Sequence, residues 1–394
     1  MKNLSFLDLK MNTIYLDYAS TTPVSDFVFE AMQSCLKFDG NFANPNSQNH
    51  ALGLKAFDAV EKARYEIAQF VGCETKELIF VSGATEGNNL AIKGAAYGLR
   101  EKGRHIISVA TEHKSVLSVC QQLEKEGFEV TYLSPTKEGL VTLEMLENAI
   151  RSETILVSIM QVNNELGVIQ DIFSIGKFLE KKGIFFHVDA AQSVGKIAID
   201  LKKLSVSLMS FSGHKIYGPK GIGALYINDS NPFSISPLIV GGGQEKNLRS
   251  GTLPTHQIVG MGKAFVEAKF RMVSDYQKIE KLNHYFLQEL KKIPQIFLNN
   301  SSEKCIPHIV NFQIMDGDSS EILNYMPNIA LAVGSACSSN LSSGSHVLKA
   351  IGLSKKQAKS SIRASLGRFT TIEDLDFSMD CLKKIIDVLI NKNK

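Results

Sequence analysis

The sequence predicts an α/β protein. Its larger part is a mainly parallel seven-stranded sheet between helices, and a smaller α+β part closes the chain. Three observations predict this. Short apolar runs alternate with amphipathic helical segments through the first two-thirds of the chain, the pattern of successive βαβ units with helices on both faces of a sheet. The texture changes after Pro254, where one long helical tract is followed by shorter strand-like pieces. The chain has 394 residues, more than the roughly 250–300 at which a single hydrophobic core stops growing.

In order, strands are expected at 78–82, 105–110, 130–133, 155–159, 185–189, 208–212 and 223–227. Each is a short apolar or β-branched run bounded by polar or small residues. Helical periodicity covers 56–71, 90–101, 115–126, 143–150 and 172–181, with Gly72, Gly127 and Gly183 where C-terminal caps belong. A long helix follows Pro254 and reaches Lys292. Strand-like 308–314, 329–333 and 361–366 come next, and an amphipathic helix over 371–390 ends the pattern. The isolated strand-like segment 14–16 is expected to join this last part. The domains are therefore 22–265, the larger, and 1–21 together with 266–394, the smaller.

Hydrophobic residues make up 44% and charged residues 21%, with a formal net charge of +3 and scattered positive residues. That is an ordinary soluble composition, with neither a nucleic-acid stripe nor a membrane-surface patch. No apolar run approaches bilayer length, and the N-terminus matches no secretory or transit peptide. The six cysteines, at 35, 73, 120, 305, 337 and 381, form no CxxC pair. Their spacing fits neither a zinc site nor a disulfide framework, so a reducing, cytoplasmic setting is expected.

Candidate chemistry starts at SFSGHKIYGPKGIGALY, where Lys215 sits beside His214 in a glycine-rich turn between apolar segments. Three roles are open to it: a solvated loop lysine, a phosphate-binding lysine, or an amine kept for covalent chemistry. The chain lacks GxxxxGK[ST] and GxGxxG, which disfavours a nucleotide phosphate. Asp189 closes the buried run IFFHVDAAQ at an expected C-terminal strand end, where open α/β sheets bind ligands. A helix N-cap or turn role is the simpler assignment for it from this strand alone; Gln192 follows three residues on. Gly83, Ala84 and Thr85 form a strand–turn–helix joint whose free N–H groups suit an anion. His113 follows another strand end, although a lone histidine is more often structural. Cys337 lies in GSACSSNLSSGS, a run with almost no apolar anchor, and about 334–346 is expected to be an exposed, mobile loop. Together these suggest pyridoxal 5'-phosphate, which wants a Schiff-base lysine, an acid for its ring nitrogen, a phosphate cradle and a ring-stacking group.

Long ordered stretches carry a resemblance: SGATEGNNLAIKGAA, TEHKSVL, VSIMQVNNELGVIQDI, HVDAAQSVGK, LMSFSGHKIYGPKGIGALY, RSGTLPTHQIVGMG, GSACSS and SSIRASLGRFT. From about Ile14 to about Ile390 the chain resembles the pyridoxal-phosphate-dependent cysteine desulfurases, specifically the housekeeping IscS type. The resemblance implies a type I pyridoxal-phosphate fold, a homodimer, and conversion of L-cysteine to L-alanine with sulfur passed on for iron–sulfur cluster assembly and tRNA thiolation. It implies Lys215 as the Schiff-base lysine that also moves the substrate Cα proton, and His113 stacked on the ring. Asp189 would pair with the ring nitrogen and Gln192 with the ring hydroxyl. Ala84, Thr85, Ser212 and His214 would hold the phosphate, with Thr252 reaching in from the partner subunit. Asn164 and Arg363 would orient the substrate, Arg363 at its carboxylate. Cys337 would be the nucleophile that keeps the sulfur as a persulfide. No resident metal is required, although Cys337 would transiently ligate a cluster during transfer.

Three departures accompany the resemblance. Ser20 stands where the family usually has alanine, with little consequence expected. Met1–Lys10 precede the usual start. The chain stops at Lys394, short of the tail that docks the cluster scaffold in typical members. The acceptor is therefore open between a scaffold and another persulfide-accepting protein. A desulfurase serving another pathway such as DNA phosphorothioation, or a selenocysteine lyase, is the alternative.

Overall fold

The computed structural model describes residues 13–231, 235–299, 303–334 and 344–392. In chain order the strands are β1 Ile14–Tyr15, β2 Leu78–Val81, β3 His105–Val109, β4 Glu129–Leu133, β5 Thr154–Ser158 and β6 Phe185–Asp189. They continue with β7 Leu208–Ser212, β8 Gly223–Ile227, β9 Ile296–Leu298, β10 Ile309–Ile314, β11 Ile329–Ala330 and β12 Ser361–Ser365. The first seven helices are α1 Asp26–Gln33, α2 Ala51–Val71, α3 Ala84–Leu99, α4 Lys114–Lys125, α5 Leu143–Ala149, α6 Ile172–Lys181 and α7 Thr255–Lys291.

Seven strands form one sheet in the order β2-β8-β7-β6-β5-β3-β4. Only β8 runs antiparallel to its neighbours. Alternation along each strand feeds two cores. Phe80, Ile107, Val157, Val188, Met209 and Phe211 face α2, α6 and the first half of α7. Ile79, Val81, Ile106, Leu156, Leu208 and Leu225 face α3 and α4. Both faces are covered, which is why the strands read as nearly continuous apolar runs rather than as alternating ones. Gly223 cannot be larger: a Cβ there would meet the Phe211 carbonyl oxygen at 2.5 Å and the Gly83 Cα at 2.7 Å. That close approach brings β8 against the joint that starts α3.

A further sheet, β12-β10-β9, is antiparallel, and β1 pairs in parallel with β11. The second half of α7 (Ile279, Leu282, Phe286 and Leu290) packs there with Ile14, Leu16, Phe312, Ile362 and the helix Ile372–Lys392. Residues 14–16 thus pack beside the C-terminal elements, as their isolation in the sequence suggested. Gly72 ends α2 with φ +77, a left-handed conformation that glycine tolerates best. Helix α3 begins at Ala84, six residues before the apolar periodicity becomes visible at Leu90, because its first turn faces the sheet edge and carries polar residues.

His308, just before β10, is 7% exposed, and its Nδ1 has no hydrogen-bond partner among the described residues. Burial, with Lys196 adding to it, pushes it down to about 3. A histidine depressed in the fold takes its proton more readily in the unfolded chain. Stability is therefore lost as pH falls below about 6.5, and the loss continues down to the folded value. His308→Phe removes this liability. Between pH 6.5 and 5 the variant should gain about 2 kcal/mol relative to the parent. Urea unfolding of both proteins at the two pH values checks this, and a pH-independent difference would refute it.

Candidate active site

Five strand ends of the large sheet open into one cleft of about 480 Å³. The Gly83–Thr85 joint follows β2, His113 follows β3, Asn164 follows β5, and Asp189 ends β6. Lys215 closes the three-residue turn after β7, and Arg363 comes from the middle of β12. Ala84, Thr85, Gln192, Ser212 and His214 line the same space. The sequence had scattered these residues over 280 positions, from 84 to 363; the parallel topology gathers them, because parallel strands present all their C-terminal ends on one side.

Lys215 Nζ donates to the carbonyl oxygens of Ala19 at 2.6 Å and Ser20 at 2.7 Å. Its turn is tied down by neighbours. Thr22 N and Oγ1 both donate to the His214 carbonyl, and Tyr217 N donates to Thr22 Oγ1. Tyr217 sits at φ +65, a conformation costing a non-glycine residue roughly 1–2 kcal/mol. Its hydroxyl accepts from Arg368 N at 2.6 Å. His214 Nδ1 contacts Thr21 Oγ1 at 3.1 Å, and burial with nearby Lys215 pushes it down to about 4, so it is neutral at pH 7.

Asp189 is buried and hydrogen-bonded. Its Oδ2 accepts from Asn88 Nδ2 at 2.7 Å and its Oδ1 from Ala191 N at 2.9 Å. Asn88 Nδ2 also donates to Ser115 Oγ at 2.9 Å. Ser115 Oγ in turn lies 2.8 Å from His113 Nδ1. Because Ser115 N also donates to that Nδ1, the ring nitrogen is an acceptor and the neutral imidazole carries its proton on Nε2. Burial holds His113 below its ordinary value. One network thus links the acid at β6 to the imidazole that caps α4.

Arg363 is almost fully buried. Its Nη1 donates to the Asn164 carbonyl at 2.8 Å. Nη2 donates to Asp17 Oδ1 at 2.7 Å and to Ser20 Oγ at 2.8 Å. Ser20 is therefore a direct partner of Arg363, through a hydroxyl contact that alanine at this position would not make. An anionic ligand at Arg363 competes with Asp17 and Ser20. Among the described residues Asn164 Oδ1 and Arg363 Nε are buried without partners, a state that usually marks where a ligand's polar atoms belong.

Thr252 is exposed and does not line this cleft. Its loop is anchored close by: Arg249 Nε donates to Glu86 Oε1 at 2.8 Å in the first turn of α3. The buried Glu245 carboxylate pairs with Arg64 at 2.7 and 2.9 Å. Cys337 and Met1–Lys10 lie outside the described residues. Of the other thiols, Cys35, Cys73 and Cys120 are buried, and Cys305 and Cys381 are half-buried. Burial pushes Cys73 and Cys120 up to about 12.

Sequence reasoning missed Asn88, Ser115, Asp17 and Lys196. Asn88 left one signal, a buried-face asparagine inside an apolar helical stripe. Ser115 and Asp17 act through contacts that span 27 positions, to Asn88, and 346 positions, to Arg363, and left none; Lys196 contacts Gln192 four residues before it, and a lysine in that position carries no signal of its own.

The aminotransferase class-V family matches residues 14–377. Cysteine desulfurase IscS of Serratia proteamaculans is 51% identical over 375 residues, 95% of this chain and 92% of the relative. The chain belongs to this family. The same enzyme of Pectobacterium atrosepticum is 50% identical over the same shares. Among solved structures, a NifS-like protein superposes with a TM-score of 0.87 at 35% identity, covering 96% of this chain and 99% of that one. SspA in complex with cysteine superposes with a TM-score of 0.81 at 39% identity, covering 91% and 100%. The mainly parallel α/β architecture is that of these relatives. Among the described residues no helix is long and apolar enough to cross a membrane.

Proposed function

We propose that this protein is a pyridoxal-phosphate-dependent cysteine desulfurase. It converts L-cysteine to L-alanine and keeps the sulfur as a persulfide on Cys337. One observation carries this: Lys215, Asp189, His113, Gln192, Asn164 and Arg363 converge on one cleft with a helix N-terminus beside them. The cofactor fits what is there. The first N–H groups of α3 have no intrahelical partner and suit a phosphate; Thr85, Ser212 and His214 stand beside them. Bound in this cleft, pyridoxal phosphate supplies a carbonyl for Schiff-base exchange and an electron-withdrawing ring.

The chain's own groups do the rest. Asp189, fixed by Asn88 and the Ala191 N–H, offers a carboxylate to a protonated ring nitrogen. His113, neutral with its proton on Nε2, is poised for proton transfer. Lys215 yields its place to the substrate amine and takes the Cα proton. Arg363 holds the substrate carboxylate, and Asn164 helps to orient the substrate. The Cys337 thiolate attacks the substrate sulfur, a new S–S bond forms, the Cβ–S bond breaks, and the released electron pair stays on the alanine skeleton until protonated. The depressed nucleophilicity of buried Cys73 and Cys120 supports this assignment.

The active enzyme is a cytoplasmic homodimer in which Thr252 completes the phosphate site of the partner subunit. Its exposure and its absence from its own cleft support this. The sulfur goes to an iron–sulfur scaffold or another persulfide acceptor. Two measurements test these points. L-Cysteine should add one sulfur atom, removable by dithiothreitol, to the peptide containing Cys337; finding it on Cys120 or Cys305 would overturn the nucleophile. Mixing inactive Lys215→Ala and Thr252→Ala subunits should restore one intact site per heterodimer, and no recovery above either parent would overturn the shared site.

A further inference from the structure

Lys196, one turn after Gln192, does not line the cleft. It lines a second cavity with His308, Asp275, Tyr217 and Arg368, and Ala19 and Lys215 form the wall between the two. Its Nζ donates to Gln192 Oε1 at 2.7 Å. Gln192 Nε2 donates to the Ala19 carbonyl at 2.7 Å, and the same carbonyl accepts from Lys215 Nζ at 2.6 Å. An ammonium can only donate and a peptide carbonyl can only accept. The two contacts therefore fix the Gln192 amide in a single orientation, oxygen toward Lys196 and nitrogen toward Ala19. The second N–H of that nitrogen remains for the cleft.

We propose that Lys196 is a positioning residue that makes Gln192 a donor-only contact to the ring oxygen of bound pyridoxal phosphate and thereby sets the protonation of the Lys215 Schiff base. The inference rests on the cofactor reading above. Without Lys196 the amide can turn, and its oxygen would then oppose the anionic ring oxygen. The cation also acts through space: a positive charge near a Schiff base disfavours its protonated form. The charged and titratable groups around Lys196 are Lys215, Arg363, His308 and His214, with Asp275 and Arg368 on the cavity wall. Burial, with Lys215 and Arg363 beside it, lowers Lys196 to about 7. Its charge is lost through neutral pH, and the neutral amine, which can accept as well as donate, holds the Gln192 oxygen less firmly.

The test uses holoprotein of the parent, Lys196→Met and Lys196→Arg. The quantity read is the pH midpoint of the visible absorbance of the cofactor on Lys215, followed without substrate. Lys196→Met should raise that midpoint by about one unit, since losing the cation and losing the donor act in the same direction. Lys196→Arg should restore the parental value. Should the methionine variant fail to fold, Lys196→Gln, which can still donate but is uncharged, should show a smaller upward shift. A parental midpoint in a folded, uncharged variant overturns the inference. Borohydride fixation separates the two levels. If parental holoprotein carries no cofactor fixed to Lys215, the cofactor reading itself fails. If it does and the midpoint does not move, only the role of Lys196 fails.

Discussion

Lys215→Ala is expected to abolish L-cysteine turnover, with a loss of at least about 10⁴-fold, because one side chain performs two tasks. It carries the Schiff base, and it moves the Cα proton, a task that alone contributes roughly 10²–10⁴-fold. The loss is chemical and not structural. The turn around residue 215 is held by Thr22, His214 and Tyr217 backbone and hydroxyl contacts that the side chain does not make. The variant should fold, bind pyridoxal phosphate without a covalent link, and lose the visible absorbance of the fixed cofactor. Borohydride reduction followed by peptide mapping checks it. A reducible bond in the variant at Lys196 or Lys220 would show that the amine is misassigned.

Cys337→Ser is expected to release no sulfide while folding, dimerising and binding the cofactor like the parent. The described hydrogen bonds around the cleft join Lys215, Asp189, His113 and Arg363 to residues other than position 337. Serine offers no comparable nucleophile at pH 7 and cannot hold a persulfide. Four of the other five thiols are poor substitutes: burial keeps Cys73 and Cys120 at about 12 and raises Cys35 and Cys381 as well. The variant should still change the cofactor's visible spectrum on adding L-cysteine, because Lys215, Asp189 and Arg363 are intact. Retained sulfide production near the parental rate would remove Cys337 from the reaction.

Much of this architecture is legible in the amino-acid sequence. The sheet strands show themselves because all but the edge strand β4 are almost wholly buried and read as compact apolar runs. Lys215, Asp189 and His113 stand out because polar residues at the ends of such runs need a reason. Of the shortest elements, β1 and β11 left an apolar trace in the sequence and others left none. Strand β9 has three residues, and the helices His346–Ala350 and Lys355–Lys359 have five each, too few for a period to emerge. Helix α1 is apolar on faces that remain exposed, with Phe27 and Phe29 about half accessible, so its pattern lacks a clear buried stripe. The supporting shell is the least legible part. Ser20 looks like a neutral exchange in the sequence, yet its hydroxyl accepts from Arg363 and its carbonyl from Lys215. Asn88 and Lys196 act by orienting a second residue, Asn88 across 101 positions and Lys196 within one turn, and neither side chain shows in the sequence which way it faces.

The most direct test of the central claim is turnover of L-cysteine by the purified holoprotein with dithiothreitol present, measuring sulfide and alanine in the same samples. A Lys215 Schiff base feeding a Cys337 persulfide predicts equal release of both at every time point, with neither formed by Lys215→Ala. Pyruvate in place of alanine, or alanine without sulfide, would contradict it, because the Cβ–S bond would then have broken by some route other than attack of a thiolate on sulfur.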